Sequence, residues 1–183
     1  LEPNCKESPG GLRDLQVILW ISRAAGLGES WNDLARRGYI TRGEALQLKG
    51  LETFLRQIRI RLHLLTGRRE DRLLFDHQET VAGCIGISAG KTRRASELLM
   101  QRYFRTAKSV TQLNTILLQN LGAEIFPEPN KAPIVINERF QTDHELLDVR
   151  SEDIFEKTPG AILESFLILQ QRGELKGMTA RTL

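Results

Sequence analysis

The segment Lys6-Glu7-Ser8-Pro9-Gly10-Gly11-Leu12-Arg13-Asp14 concentrates groups that could do chemistry. A glycine pair directly before a helix leaves backbone amides at a positive dipole end, which suits an anion. Lys6 and Arg13 add formal charge to the same end. Pro-Gly-Gly is also an ordinary helix lead-in, so residue types alone leave a phosphate contact and a plain helix start both open.

A second candidate is the arginine set Arg56, Arg59, Arg61, Arg68, Arg69 and Arg72. Arg59 and His63 share a helix face at i, i+4. Arg56 has Glu52 within reach, and Arg72 has Glu70 or Asp76. Arginine geometry suits phosphate, but charge runs of this kind usually form a solvated face. The stretch Gly86-Ile87-Ser88-Ala89-Gly90-Lys91-Thr92 imitates a phosphate-binding P-loop. It has three residues between the first glycine and the Gly-Lys pair where that loop needs four, and no apolar strand precedes it. The expected role is a solvent loop leading into the next helix.

Other reaction centres are missing. His63, His77 and His144 form no i, i+4 zinc pair, and the two Asp-His steps, Asp76-His77 and Asp143-His144, run opposite to a His-Asp metal motif. No Gly-x-Ser-x-Gly elbow occurs. No Asp-x-Asp occurs either, although metal-assisted nucleotidyl transfer needs two carboxylates on one face of a strand. Cys5 and Cys84 lack metal spacing and read as free thiols. The chain therefore predicts a piece of a larger enzyme, without a complete catalytic centre of its own.

The elements that would position these groups are mainly helical. Leu12, Leu15, Ile18, Leu19 and Ser22 recur at helical spacing until Gly26 and Gly28. Ser30 can cap a short helix ending at Gly38. Thr41 and Glu44 make a capping box opening a helix to about Thr66, with Leu48, Leu51, Leu55, Ile58, Leu62 and Leu65 as an a/d seam. A short helix is expected from Asp76 to Cys84, and a long one from about Thr92 to Leu121 with Leu99, Tyr103, Ala107, Val110, Leu117 and Leu121 inward. The two long helices predict an antiparallel bundle core. Pro127, Pro129 and Pro133 mark a linker. Residues 134–137 and 145–149 read as a small hairpin. Thr158 and Pro159 introduce a last helix with Ile162, Leu163, Phe166, Leu167 and Leu169 as its apolar side. Residues 178–183 read as the start of another helix that is cut.

Composition bounds the rest. The 183 residues are 40% hydrophobic and 27% charged, a globular balance. A formal net charge of +3 is weak ground for nucleic-acid binding, and aromatics at 6% offer few stacking platforms. No apolar stretch approaches the ~20 residues of a bilayer crossing, and Leu1-Glu2-Pro3-Asn4 is no signal peptide. A reducing cytoplasm is the expected setting.

Leu1-Glu-Pro-Asn-Cys-Lys-Glu-Ser-Pro-Gly-Gly-Leu-Arg-Asp-Leu-Gln16 closely resembles a hallmark segment of the bacterial PII uridylyltransferases, the uridylyl-removing enzymes of nitrogen signalling. Arg59-Ile-Arg-Leu-His63, Asp71-Arg-Leu-Leu-Phe-Asp-His-Gln78, Met100-Gln-Arg-Tyr-Phe-Arg105 and Leu147-Asp-Val-Arg150 are similar to the same family, in the same order. Glutamine synthetase adenylyltransferases carry a similar Gly-Gly-Ile-Arg-Glu element. The resemblance implies a polymerase-β-like transferase domain with a Gly-Ser motif and Asp-x-Asp, then a helical domain, an HD hydrolase domain and two ACT sensor domains. On it, residues 1–11 are the tail of the transferase domain, 12–126 a helical bundle, and 127–183 a hairpin and helix extending it.

The resemblance further implies UTP and the PII protein as partners, and magnesium held by carboxylates outside this chain. The helical domain would form one wall of the UTP cleft. Lys6, Gly10, Gly11, Arg13 and Asp14 would face the nucleotide. Lys6 and Arg13 would neutralise phosphate, the glycines would offer amides, and Asp14 would orient Arg13 or touch the nucleotide. The piece alone is expected to be inactive. The alternatives are a non-catalytic helical module docking a partner protein, the equivalent domain of an adenylyltransferase and, last, a nucleic-acid binder.

Overall fold

The computed structural model describes residues 2–126, 132–143, 145–179 and 181–183. It is mainly helical with a small sheet, in two compact units, Leu1–Leu117 and Leu118–Leu183. Residues 127–131 of the expected linker and His144 lie outside the described residues.

In the first unit, α1 (Leu12–Ala24), α2 (Trp31–Arg36), α3 (Arg42–Thr66), α4 (Phe75–Cys84) and most of α5 (Ala95–Ile125) surround one core. Local signals set the helix ends. Ser30 Oγ accepts the Asp33 amide at 3.2 Å. Thr41 and Glu44 form the reciprocal capping box, and Gly67 closes α3 with φ +66°. Leu12, Leu15 and Ile18 of α1, and Leu99, Tyr103, Ala107, Val110 and Leu117 of α5, are buried as their spacing predicts.

The α3 seam differs from the expected one. Leu48, Leu55, Ile58 and Leu62 are buried, but Leu65 is exposed and Ala45 and Phe54 are buried in addition. The buried band is wider than a two-helix seam because α3 packs against α1, α2 and α4. The long helices meet where the Arg102 guanidinium sits 4.3 Å over the Phe54 ring.

The second unit holds a sheet rather than a lone hairpin. Its strands are β1 (Ile134–Val135), β2 (Phe140–Asp143), β3 (Leu146–Val149) and β4 (Gly177–Met178), in the order β1-β2-β3-β4. β1/β2 and β2/β3 are antiparallel, and β3/β4 is parallel. The expected pairing of 134–137 with 145–149 is corrected: β2 lies between them. The expected helix start at 178 is also corrected. Lys176 donates its amide to the Glu145 carbonyl at 2.8 Å, and Thr179 to Leu147 at 2.9 Å, drawing that segment into the sheet.

Two further helices complete this unit, α6 (Ile154–Lys157) and α7 (Ala161–Gln171). Gly160 is the α7 N-cap, without a side-chain hydrogen bond, so Thr158 does not cap it. Ala161, Ser165 and Ile168 face inward, while Ile162, Leu163, Phe166 and Leu167 are exposed, Leu163 at 76%. Of the expected apolar side only Leu169 packs against the core; the other four residues lie on the outer face. Small side chains at 161 and 165 let the helix approach the core closely, a preference that hydrophobicity alone does not register.

Candidate functional site

The cationic segment folds into a tight loop before α1. Asn4 Oδ1 accepts the Lys6 amide at 2.9 Å and the Glu7 amide at 2.8 Å. Ser8 Oγ accepts the Asn4 amide at 3.0 Å. Gly10 then turns the chain with φ +76°, where a Cβ would lie 2.2 Å from the Ala107 carbonyl oxygen of α5. A Cβ on Gly11 would lie 2.7 Å from the Ser8 carbonyl oxygen. Both glycines are thus required for close backbone approach.

The amides at this end are already used. Gly10 donates to Asp14 Oδ2 at 2.7 Å, and Gly11 to the Ser8 carbonyl at 2.8 Å. Leu12 donates to Cys5, Arg13 to Lys6 and Asp14 to Gly11. In this structure the loop thus fills its own helix terminus. Asp14 accepts the Gly10 amide.

Side-chain charge remains available. Lys6 Nζ lies 3.1 Å and Arg13 Nη2 2.7 Å from the same Glu7 oxygen, Oε1. Hydrogen bonds from Arg13 and Lys6 hold the exposed Glu7 carboxyl below its ordinary range. The Arg13 guanidinium also sits 5.5 Å from the Trp20 ring centroid, and its buried Nε has no hydrogen-bond partner. Lys6, Glu7 and Arg13 thus form a cation pair around one carboxylate, the charge pattern a phosphate oxygen could also satisfy.

The segment is anchored from behind by a cluster that sequence reading missed. Asp71 Oδ1 accepts Arg59 Nε at 2.6 Å and lies 3.0 Å from His63 Nε2. Burial raises the Asp71 pKa, but hydrogen bonds from Arg59 and His63 outweigh it and leave the carboxyl below its usual value. The Asp71 carbonyl accepts the Cys5 amide, and the Pro3 carbonyl accepts Leu73, each at 2.8 Å. The i, i+4 pairing of Arg59 with His63 was visible; their shared acceptor, 12 and 8 residues away, was not.

A cavity of about 270 Å³ lies between this loop and α5, lined by Pro3, Ser8, Pro9, Tyr103 and Phe104. The Tyr103 hydroxyl is buried without a hydrogen-bond partner. The Gly86–Thr92 stretch follows a helix, not a strand, as expected of a non-phosphate loop. Among the described residues no group of three or more His, Cys, Asp or Glu is placed to hold a metal ion. Nor is any of their helices long and apolar enough to cross a membrane.

A family profile described as GlnD PII-uridylyltransferase matches residues 1–118, and one described as the uridylyltransferase GlnD third domain matches residues 140–183. Relatives named bifunctional uridylyltransferase/uridylyl-removing enzyme align over all of this chain. They are 67% identical in Aromatoleum aromaticum, 60% in Nitrosospira multiformis and 56% in Bordetella pertussis. The chain covers 21% of each of these relatives. No solved structure matches.

Proposed function

The chain belongs to the GlnD PII-uridylyltransferase family, and we propose that within the whole enzyme its Lys6–Asp14 loop forms part of the UTP-facing wall of the nucleotidyltransferase cleft. The observation that carries this reading is the convergence of Lys6 and Arg13 on one carboxylate oxygen of Glu7. The same two cations can hold triphosphate oxygens, with Glu7 released to solvent. Arginine supplies a directed fork and lysine a mobile point charge.

In the reaction, a tyrosine hydroxyl of the PII protein would attack the α-phosphate. A new phosphorus–oxygen bond would form, the α–β bridging bond would break with pyrophosphate taking its electron pair, and the hydroxyl proton would pass to solvent. Lys6 and Arg13 would offset negative charge on the phosphate chain. Gly10 and Gly11 would contribute shape, by letting the loop seat against α5. Asp14 would keep that shape through the Gly10 amide. The carboxylates that hold magnesium would come from another part of the enzyme.

The test is UTP saturation kinetics of Arg13→Ala and Lys6→Ala in the full-length enzyme. A lost charge-assisted hydrogen bond predicts a rise in the Michaelis constant for UTP of about tenfold or more. Wild-type constants in both folded variants would remove the loop from the nucleotide site.

A further inference from the structure

We propose that Asp71 is a positioning residue for the cationic loop, transmitting the placement of α3 to Lys6 and Arg13 through the Cys5 backbone. This rests on the nucleotide-facing reading of that loop.

The path is continuous. Arg59 and His63 project from α3 onto one oxygen of Asp71, at 2.6 and 3.0 Å. That double contact fixes residue 71 within the connection between α3 and α4. Its carbonyl then receives the Cys5 amide at 2.8 Å, and an isolated bridge pairs Asn4 with Arg72. Leu73 donates to Pro3 at 2.8 Å, and Phe75 donates its amide to Glu2 Oε1 at 2.9 Å. Residues 2–5 are therefore tied along 71–75. Past Cys5, its carbonyl accepts Leu12 at 3.1 Å and the Lys6 carbonyl accepts Arg13 at 2.9 Å. Lys6 follows Cys5, the residue that the Asp71 carbonyl holds, and Arg13 is tied to the Lys6 carbonyl. Cys5 is fully buried, so this link is shielded from competing water.

The side chains of Arg59, His63 and Asp71 are each less than one-third exposed. Removing the carboxylate leaves a partly desolvated guanidinium without its partner and frees the 71–75 segment to shift. A shift of the cations by about 1 Å is enough to change rate or affinity by one to two orders of magnitude. Asp71 contacts none of the proposed phosphate-facing groups through its side chain, so its action is indirect.

The experiment is a double-mutant cycle in the full-length enzyme, reading kcat and KM for UTP separately. Asp71→Ala is expected to raise KM roughly tenfold, with kcat changing less. In the Lys6→Ala/Arg13→Ala background it should add little, because both groups being positioned are gone. Full additivity of Asp71→Ala on that background overturns the inference, and so does an unchanged KM in Asp71→Ala. If Arg13→Ala and Lys6→Ala themselves leave KM untouched, the nucleotide-facing reading fails and the inference falls with it. If only the Asp71 arm is silent, that reading stands and the inference alone is lost. Should Asp71→Ala not fold, Arg59→Lys and His63→Gln carry the same cycle. A KM increase that disappears in the Lys6→Ala/Arg13→Ala background supports positioning; none, or an additive one, rejects it.

Discussion

Gly10 presses so closely on α5 that a methyl group on its Cα would sit 2.2 Å from the carbonyl oxygen of Ala107, with backbone atoms on both sides of the contact. Neither partner can rotate away, because both are main chain. Gly10→Ala combines this overlap with the unfavourable φ of +76°. The expected cost is about 3 kcal/mol or more. Gly26→Ala provides the contrast. Its φ is +71° but nothing lies within 4 Å, so about 1 kcal/mol is expected. Urea unfolding followed by the fluorescence of Trp20 and Trp31, both in the first unit, measures the difference.

The two thiols should behave oppositely. Cys84 is exposed and Cys5 buried, so a thiol reagent should modify Cys84 in the native chain and Cys5 only after unfolding. Burial pushes Cys5 from 9.0 to about 12 and Tyr103 from 10.0 to about 12. In each case the unfolded chain ionises first. Stability is therefore full below about pH 9 and declines as pH rises from there toward 12. Cys5→Ala should flatten this alkaline decline. An unchanged decline in that variant would contradict the assignment.

Asp71 supplies the acid counterpart. Its folded pKa lies below the ordinary carboxyl value of 3.8, so its contribution is present above that value and is lost as pH falls through the lower folded one. Asp71→Asn keeps an acceptor but removes the titration. Its stability at neutral pH should fall, and its acid limb below pH 4 should be shallower than that of the parent chain. Matching acid limbs would show that the Arg59 and His63 contacts contribute little.

The sequence made helix ends and most inward stripes readable, because caps and 3.6-residue periodicity act within a few residues. Ser30, the Thr41–Glu44 box and the α5 stripe are examples. What escaped depended on partners far along the chain. β4 exists because Leu146 and Leu147 pair with Gly177 and Met178, some 30 residues away. The α7 face was assigned to its large apolar residues, whereas Ala161 and Ser165 sit inward. At the candidate site, Lys6, Arg13 and the glycines stood out by type and spacing. Glu7 was passed over as one member of a mixed-charge segment, yet it joins both cations. Asp71 was passed over because its contacts with Cys5, Arg59 and His63 arise only on folding.

The most direct measurement is lysine labelling of the full-length enzyme with and without saturating UTP, quantified at Lys6. Lys6 Nζ is partly exposed and held by one exposed carboxylate, so it should react in the absence of nucleotide. Saturating UTP should protect it severalfold, while Lys91, in the exposed Gly86–Thr92 stretch, should react equally in both conditions. Equal labelling of Lys6 with and without UTP, in enzyme that still turns over, would contradict a nucleotide-facing loop.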